Sequence, residues 1–185
     1  MLRSRAPSRS ILNLPRTKYL ADESIDDALD QEIRNLLTRC FTKPQDVIFR
    51  TQRYFYEPYP HRWIIQNERG ALIAHIGVHD KHIETGKSAH RIGGICEVCV
   101  HPDHRGKHYV KFMLEKVHTW FLDHEYDYAI LFGDPRIYSS SGYLPVDNVI
   151  HGDDHEGWKP TRVLIREVSG KAWPMGKVLL PGAEF

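Results

Sequence analysis

Apolar and polar residues alternate with a helical period in the first third of the chain. From about Ile25 to Cys40 the apolar side chains recur every three or four residues, which predicts an amphipathic helix. A second helix is predicted from about Gln45 to Tyr56, because Pro58 beyond it cannot continue a helix. Ahead of both, the run SRSILNL at residues 8–14 predicts a short first strand.

The pattern then changes to that of β-strands. The runs HRWIIQN (residues 61–67) and ALIAHIGVHDKHIET (residues 71–85) are rich in β-branched and aromatic residues. The polar Glu68-Arg69-Gly70 between them predicts a hairpin. A third strand is predicted for AHRIGGICEVCV (residues 89–100), and its Gly93-Gly94 pair predicts a bulge or bend.

Helical spacing returns after residue 108. One face of this predicted helix is apolar, and its members are Val110, Met113, Leu114, Val117 and Phe121. The run YDYAILFG (residues 126–133) predicts a buried strand. Asp134-Pro135 then has the pattern of a helix start, and Gly142 ends that helix after about two turns.

Two more strands are predicted near YLPVDNV (residues 143–149) and RVLIREV (residues 162–168), with the polar loop HGDDHEGWKP (residues 151–160) between them. Taken in order, the elements are two helices, three strands, a helix, a strand, a short helix and two strands. This order predicts a mixed sheet with helices packed on it.

Composition narrows the class of protein. The chain has 185 residues, 41% of them hydrophobic, which predicts one domain over residues 1–185 with its own core. Lys and Arg number 25 against 24 Asp and Glu, so we expect no nucleic-acid partner and no anionic membrane. No apolar run approaches the ~20 residues of a membrane span. Three cysteines without a secretory h-region predict a cytoplasmic location.

The start of the chain is basic. Five cations precede the first acidic residue, Asp22, and residues 1–18 are therefore interpreted as a solvated basic arm; the cations are Arg3, Arg5, Arg9, Arg16 and Lys18.

Soft metal ligands cluster in one segment. Cys96, Cys99, His101 and His104 lie within nine residues. Structural zinc sites instead pair two ligand knuckles across a longer loop. In a regular strand, Cys96 and Cys99 would also point to opposite faces. We therefore expect no metal here.

A glycine between two cations marks the junction VCVHPDHRGKHYV, residues 98–110. A strand ends here and a helix begins, and the first backbone N–H groups of a helix have no partners within it. The helix dipole adds positive charge at the same end. Gly106 lets the backbone approach a ligand, while Arg105 and Lys107 add mobile charge. The junction therefore predicts a phosphate site, with a plain polar turn as the alternative.

Two motifs stand in register on these elements. The first has the form Val-x-Pro-x-x-Arg-Gly-x-Gly-x-Gly/Ala, and the residues that match it here are Val100, Pro102, Arg105, Gly106 and Lys107. The second is Tyr138, placed on the short helix ahead of Gly142-Tyr143. With both motifs, residues 71–146 resemble the GNAT superfamily of acyl-CoA-dependent N-acyltransferases. The arrangement is also similar to aminoglycoside N-acetyltransferases, and the tail KAWPMGKVLLPG to nodulation-factor N-acyltransferases.

The resemblance implies a GNAT-like α/β (α+β) fold, in which helices flank both faces of a mixed, mainly antiparallel central sheet. It implies acetyl-CoA, or another acyl-CoA, as co-substrate and no metal. The residues implied to bind it are Val98, Cys99, Val100, Arg105, Gly106, Lys107, His108, Tyr109 and Val110. This chain departs from the motif at His108 and Val110, where the family has glycine and then glycine or alanine. A GNAT-fold module without catalysis is therefore one alternative.

Catalytic roles follow from the same resemblance. Tyr138 holds the position of a general acid that protonates the leaving thiolate, with packing of the short helix as the alternative. Backbone N–H groups of residues 98–100 would stabilise the oxyanion. Glu97, just ahead of the cofactor loop, is the candidate base, and a solvent-facing strand residue is an equal alternative. His101 and Glu84 are reserve candidates.

The acceptor is predicted to be the primary amine of a small molecule, since Asp153, Asp154 and Glu156 place three carboxylates close together near the last strands. A solvated surface loop is the alternative for these residues, and a protein amine is the alternative acceptor. A homodimer is compatible with the sequence.

Overall fold

The computed structural model describes residues 16–86 and 88–185. Eight strands form one sheet in the order β1-β2-β3-β4-β5-β7-β6-β8. Neighbours are antiparallel except β4 with β5 and β6 with β8. The strands are β1 (Thr17–Ala21), β2 (His61–Gln66), β3 (Leu72–Thr85), β4 (Ser88–Val100), β5 (Tyr128–Leu131), β6 (Leu144–Asp153), β7 (Gly157–Glu167) and β8 (Val178–Pro181). The predicted mixed, mainly antiparallel sheet is confirmed.

Helices lie on both faces of this sheet, as predicted. They are α1 (Asp27–Cys40), α2 (Tyr109–Asp123) and the short α3 (Pro135–Tyr138), with 3₁₀ turns at Asp22–Ser24, Pro44–Arg50, Pro102–His104 and Ser139–Ser141. The apolar side of α1 packs with Ile64 and Cys99. The apolar side of α2 packs on the other face, against Ala74 and Ile95. We call these the α1 face and the α2 face.

The first helices differ from the prediction in extent. The α1 helix starts at Asp27, because the side chain of Asp26 accepts a hydrogen bond from the N–H of Leu29 at 2.8 Å and so caps it. The predicted second helix is a 3₁₀ helix that ends at Arg50. Beyond it, the side chain of Gln52 donates to the carbonyls of Tyr54 and Phe55 and holds an irregular turn.

The N-terminal predictions are only partly covered. The strand predicted at residues 8–14 lies outside the described residues, as does the basic arm up to residue 15. Thr17 and Lys18, the end of that predicted arm, are strand residues of β1, where they pair with Ile65 and Ile64.

The polar segment 151–160 is a hairpin and not the loop that its composition predicts. Strand β6 runs to Asp153 and β7 begins at Gly157. One carboxylate oxygen of Asp153 accepts from the N–H groups of His155 and Glu156, at 2.8 and 2.7 Å, which fixes the turn.

The bulge in β4 lies three residues beyond the predicted glycine pair. His75 pairs with Cys99 and Gly77 with Cys96, so Glu97 and Val98 together face the single residue Ile76. Glu97 takes a left-handed backbone conformation there, with φ of 42°. The glycine pair has another use, because the ring of Phe121 packs over Gly93 and that of Phe185 over Gly94.

Strand β8 was not predicted. It pairs with β6 along its length and meets β3 where Glu84 pairs with Leu179. The far end of the sheet therefore curls back onto β3. The apolar interior of this curl is formed by Ile83, Ile92, Tyr128, Ile130, Val149, Val163, Ile165, Val178 and Leu180.

No helix in residues 16–86 or 88–185 has the length and apolar character needed to cross a membrane.

Gly93→Ala should lower the free energy of unfolding by about 1–3 kcal/mol, because an added methyl group would overlap the ring of Phe121. Gly176→Ala is the matched control, since no atom lies within 4 Å of the methyl position, and it should change stability by less than about 0.5 kcal/mol. Urea unfolding of both variants measures the difference. Equal midpoints would show that α2 does not press on β4 at Gly93.

Candidate active site

Strands β4 and β5 part beside the bulge. They pair from Ile92 with Tyr128 to Ile95 with Leu131, where β5 ends while β4 continues to Val100. Within the described part of the chain, the β5 side of residues 96–100 therefore has no strand partner. An extended ligand can pair with such a free edge as an added strand does.

A cleft of about 330 Å³ opens next to this free edge. All nine residues predicted to bind the cofactor line it, together with the predicted acid Tyr138: Val98, Cys99, Val100, Arg105, Gly106, Lys107, His108, Tyr109, Val110 and Tyr138. The structure thus brings two motifs that lie about thirty residues apart onto one surface. Its remaining lining residues are Cys40, Phe41, His104 and Ile137.

The loop ahead of α2 keeps a glycine-like backbone although the sequence departs from the family motif. Gly106 has φ of 75°, and His108, the N-cap of α2, has φ of 59°. Histidine is among the residues that tolerate this left-handed region better than most. His108 therefore takes a backbone conformation that glycine adopts readily, and its imidazole adds to the cleft wall.

The start of α2 is suited to an anion. In the described chain no side chain caps this helix, and its first turn holds no acidic residue. Its leading N–H groups therefore remain available at the positive end of the helix dipole. The Nε of Arg105 donates to the carbonyl of Val100 at 3.2 Å, which anchors that cation at the cleft.

Tyr138 is the last residue of the short helix α3. The helix is capped at its start by the carboxylate of Asp134, which accepts a hydrogen bond from the N–H of Arg136 at 2.9 Å. The phenol is half-buried, and its ring centre lies 6.0 Å from that of Tyr143. Burial raises the pKa of Tyr138 to about 12, with the Cys99 thiol adding to the shift. The hydroxyl is therefore protonated at neutral pH and can donate.

Glu97 occupies the bulge with its carboxylate turned inward, so it is not the solvent-facing residue of the alternative interpretation. One oxygen accepts from the N–H of Phe55 at 2.8 Å, and Phe55 packs in the cluster beneath α1. The other oxygen is buried without a hydrogen-bond partner in the described chain. Burial raises the pKa of Glu97. The carboxylate lies on the α1 face and does not line the cleft.

A buried polar network supports the bulge. The fully buried guanidinium of Arg62 donates to Asp22 at 2.8 Å and to the hydroxyl of Tyr59. Burial, with the Arg62 charge, lowers the pKa of His75 to about 3, so this imidazole is neutral. Its Nε2 then accepts from Arg62 at 3.2 Å, and its Nδ1 donates to the carbonyl of Glu97 at 2.9 Å.

The two reserve bases lie elsewhere. His101 interacts through Nε2 with the guanidinium of Arg39 at 2.9 Å, in a shallow groove beside α1. Glu84 is exposed near the far end of β3, opposite Leu179 of β8. Neither side chain lines the cleft.

The bulge corrects the expectation for the cysteines. Because Cys96 and Cys99 pair with Gly77 and His75, which are two residues apart, both thiols point to the α1 face and not to opposite faces. Across residues 16–86 and 88–185, no group of three or more His, Cys, Asp or Glu side chains is placed to hold a metal ion.

Of the three acidic residues predicted to bind the acceptor, two line a common cleft and one does not. Asp153 and Glu156 line a second cleft of about 410 Å³ together with Tyr56 and Glu184. The N–H groups of the hairpin lower the pKa of Asp153. Asp154 does not line this cleft, and its carboxylate accepts from the indole of Trp158 at 3.1 Å.

Comparison with known families agrees with this geometry. A model described as an acetyltransferase (GNAT) domain matches residues 23–146, about two thirds of the chain. The chain belongs to the GNAT acetyltransferase family. Curated protein sequences gave no match.

Solved structures support the fold at low sequence identity. A GNAT family N-acetyltransferase, YhbS from Escherichia coli, in complex with CoA, is 13% identical, with a TM-score of 0.61 over 96% of this chain and 93% of that chain. A Brucella melitensis GNAT acetyltransferase in complex with acetyl-CoA is 14% identical, with a TM-score of 0.59 over 88% and 94%. ElaA from Escherichia coli is 15% identical, with a TM-score of 0.59 over 83% and 99%. The predicted superfamily is confirmed, whereas the narrower likeness to aminoglycoside and nodulation-factor enzymes stays a prediction.

Some residues of the site had no sequence signal. Cys40 and Phe41 reach the cleft from the end of α1, about sixty residues before the cofactor loop. Arg62 and Tyr59 look like an ordinary strand cation and loop aromatic in the sequence. Their placement depends on the pairing of β2 with β3, which periodicity alone does not reveal.

Proposed function

We propose that this protein transfers an acetyl group from acetyl-CoA to the primary amine of a small molecule by direct attack. One cleft joins an uncapped helix start, a free strand edge and a half-buried tyrosine, and this juxtaposition is the main support for the proposal. Acyl transfer from a thioester needs an anion site, an oxyanion donor and a proton donor, and these three features correspond to those needs.

The loop of residues 105–110 is proposed to hold the pyrophosphate of CoA. The left-handed backbone at Gly106 and His108 leaves the α2 N–H groups accessible, and Arg105 and Lys107 add positive charge. Pantetheine would pair along residues 96–100. The CoA and acetyl-CoA complexes of two structural neighbours support this assignment. A retained glycine-like backbone at His108 favours this function over a module that has lost its cofactor.

Backbone N–H groups of residues 98–100 are proposed to stabilise the tetrahedral oxyanion, since they lie on the free edge of β4. Tyr138 is proposed to protonate the thiolate as it leaves. Its raised pKa keeps the phenol neutral at pH 7, and the same burial strengthens its interaction with a developing negative charge.

Glu97 is proposed to remove the proton of the amine, directly or through water. A lysine-like amine with a pKa near 10.4 is neutral in only about one molecule in 10³ at pH 7, so a base must assist. Two features of Glu97 support this role: a raised pKa, which makes a carboxylate a stronger base, and a buried oxygen without a partner. Because the carboxylate lies on the α1 face and does not line the cleft, a water molecule is the simpler route by which it would reach the amine.

The acceptor is proposed to be a small polycationic amine. Glu156 and Glu184 place carboxylates in the second cleft, and clustered carboxylates attract cations. The carboxylate of Asp153 accepts hydrogen bonds that stabilise the hairpin, and it also lines the same cleft, where it adds negative charge. A protein amine is the competing acceptor.

Tyr138→Phe should lower kcat by about 10²–10⁴-fold while the affinity for acetyl-CoA stays near that of the parent, because the ring remains and only the proton donor is lost. Thiol release from acetyl-CoA measures turnover, and calorimetry measures affinity. Tyr19→Phe is the control, since Tyr19 lies on the outer strand β1, where its exposed hydroxyl forms a hydrogen bond with His61 of β2. If Tyr138→Phe turned over substrate as fast as the parent, Tyr138 would serve only to pack the short helix and not as the general acid.

Glu97→Gln should remove a limb from the pH–rate profile. The base acts as carboxylate, so activity is present above the raised pKa of Glu97 and is lost as the pH falls through it. The variant should be slower by about 10²–10⁴-fold at neutral pH and lack this acidic limb. Glu84→Gln, at the far end of β3, should keep both rate and limb. An unchanged limb in Glu97→Gln would place the base elsewhere.

A panel of aminoglycosides, polyamines, amino acids and lysine or N-terminal peptides tests the acceptor, with thiol release as the readout. Polyamines or aminoglycosides should react best, and Glu156→Gln should lower their kcat/KM about two- to fivefold, as expected for an exposed charge pair. Asp154→Asn is the matched control because Asp154 does not line the cleft. Acetylation of peptides alone would contradict the small-amine proposal.

A further inference from the structure

Two cysteines share the wall of the candidate cofactor cleft. Cys40 is the last residue of α1, and Cys99 lies near the end of β4. Both line the cleft, and Cys40 is half-buried while Cys99 is buried. The third cysteine of the chain, Cys96, is buried and does not line the cleft. The proposed acetyl transfer uses the backbone of Cys99 but neither thiol group.

A guanidinium lies beside the Cys40 thiol. The sulfur of Cys40 lies 3.4 Å from the carbonyl oxygen of Val100, and the Nε of Arg105 lies 3.2 Å from the same oxygen. One carbonyl therefore brings thiol and cation together at the cleft surface. Arg39, one residue earlier on α1, adds a second cation to this neighbourhood.

The two thiols also interact with each other. Both residues belong to the apolar cluster beneath α1. The neighbouring Cys99 is the largest cause that lowers the pKa of Cys40, to about 7, and the charges of Arg105 and Arg39 add to it against the effect of burial. The negative end of the α1 dipole opposes the shift as well. The proximity of Cys40, with burial, raises the pKa of Cys99, so the pair consists of a half-buried, partly ionised thiol and a buried, protonated one.

We propose that Cys40 is a covalent modification site that takes the disulfide form of a phosphate-bearing small thiol, with Cys99 as the resolving thiol. The phosphate preference follows from the cleft itself, since Arg105, Lys107 and the uncapped start of α2 lie on the same wall as Cys40. The proposal rests on the proposed function only for its consequence, the loss of acyl-CoA binding.

The reaction is a thiol–disulfide exchange in two steps. The Cys40 thiolate attacks one sulfur of the small disulfide, forms a mixed disulfide, and releases one small thiolate. Cys99, once deprotonated, then attacks the Cys40 sulfur, forms the Cys40–Cys99 disulfide, and releases the second small thiolate. Two protein thiols are oxidised and one small disulfide is reduced to two thiols. A small thiol in excess reverses both steps.

Either product changes the cleft. The mixed disulfide places a phosphate-bearing group where the acyl-CoA would lie. The Cys40–Cys99 bond ties the end of α1 to β4 and moves the Cys40 sulfur from its position beside the Val100 carbonyl. Modified protein should therefore lose affinity for acetyl-CoA by at least about tenfold, and a reductant should restore it.

The experiment treats the reduced, full-length protein with CoA disulfide and follows intact mass and peptide maps. The parent should pass through an adduct at Cys40 and end two hydrogen atoms lighter. Cys99→Ser should stop at the adduct, Cys40→Ser should form neither product, and Cys96→Ser should behave as the parent. Reaction at Cys96, or an undiminished adduct in Cys40→Ser, would overturn the proposal.

Two further measurements do not depend on the folding of any variant. Limited alkylation of the parent with iodoacetamide, read by peptide mass, should label Cys40 roughly tenfold faster than Cys96 or Cys99, because Cys40 is the more accessible thiol and has the lowest pKa of the three. CoA disulfide should react roughly tenfold faster than glutathione disulfide, because cations line the cleft. Equal labelling of the three cysteines would overturn Cys40 as the modification site. Equal rates with CoA disulfide and glutathione disulfide would overturn the phosphate preference.

Binding of acetyl-CoA, followed by thermal shift before and after oxidation, separates this inference from the proposed function. If the reduced protein binds acetyl-CoA but Cys40 does not react, the modification site is wrong and the function stands. If Cys40 reacts but the reduced protein binds no acetyl-CoA, the proposed function is wrong and the thiol site stands. Full binding by the oxidised protein would overturn the link between them.

Discussion

The bulge at Glu97 and Val98 is the constraint on which the arrangement of the site depends. One extra residue in β4 reverses the side-chain alternation beyond it, so that Cys99 joins Cys96 on the α1 face and Glu97 turns inward. Just before the bulge, β4 and β5 stop pairing, which leaves a free strand edge. The free edge beside the cleft, the buried carboxylate and the placement of Cys99 all follow from this local irregularity.

The bulge is held by groups that would otherwise be costly to bury. Glu97 at φ of 42° is strained, and residues in such conformations persist when their surroundings fix them. Here neutral His75 donates to the carbonyl of Glu97, while Arg62 is compensated by Asp22 and Tyr59. A buried cation with these partners costs far less than an unpaired one. The network therefore positions the bulge and also sets the charge environment of the proposed base.

Sequence patterns predicted what depends on local periodicity. Strands β2 and β3 and helix α2 appear close to their predicted limits, and the residues of the cofactor loop do lie with Tyr138 around one cleft. Local signals failed where distant partners decide the structure. The Gly93-Gly94 pair looks like a bulge, but these glycines make room for Phe121 and Phe185, which come from α2 and the C-terminal segment. Strand β8 and the contact of Cys40 with the cleft are equally non-local.

Paired glycine variants test whether the loop of residues 105–110 binds acyl-CoA. Gly106 and Gly70 have φ of 75° and 80°, and no atom lies within 4 Å of the position of an added Cβ at either residue. Valine should therefore strain both backbones similarly, but only Gly106 lies at the cleft. A ligand at 100 times its Kd stabilises its protein by about 2.7 kcal/mol, which a thermal-shift assay detects. Acetyl-CoA should raise the Tm of the parent and of Gly70→Val while leaving Gly106→Val nearly unchanged. An equal rise in Gly106→Val would show that acetyl-CoA does not bind at this loop.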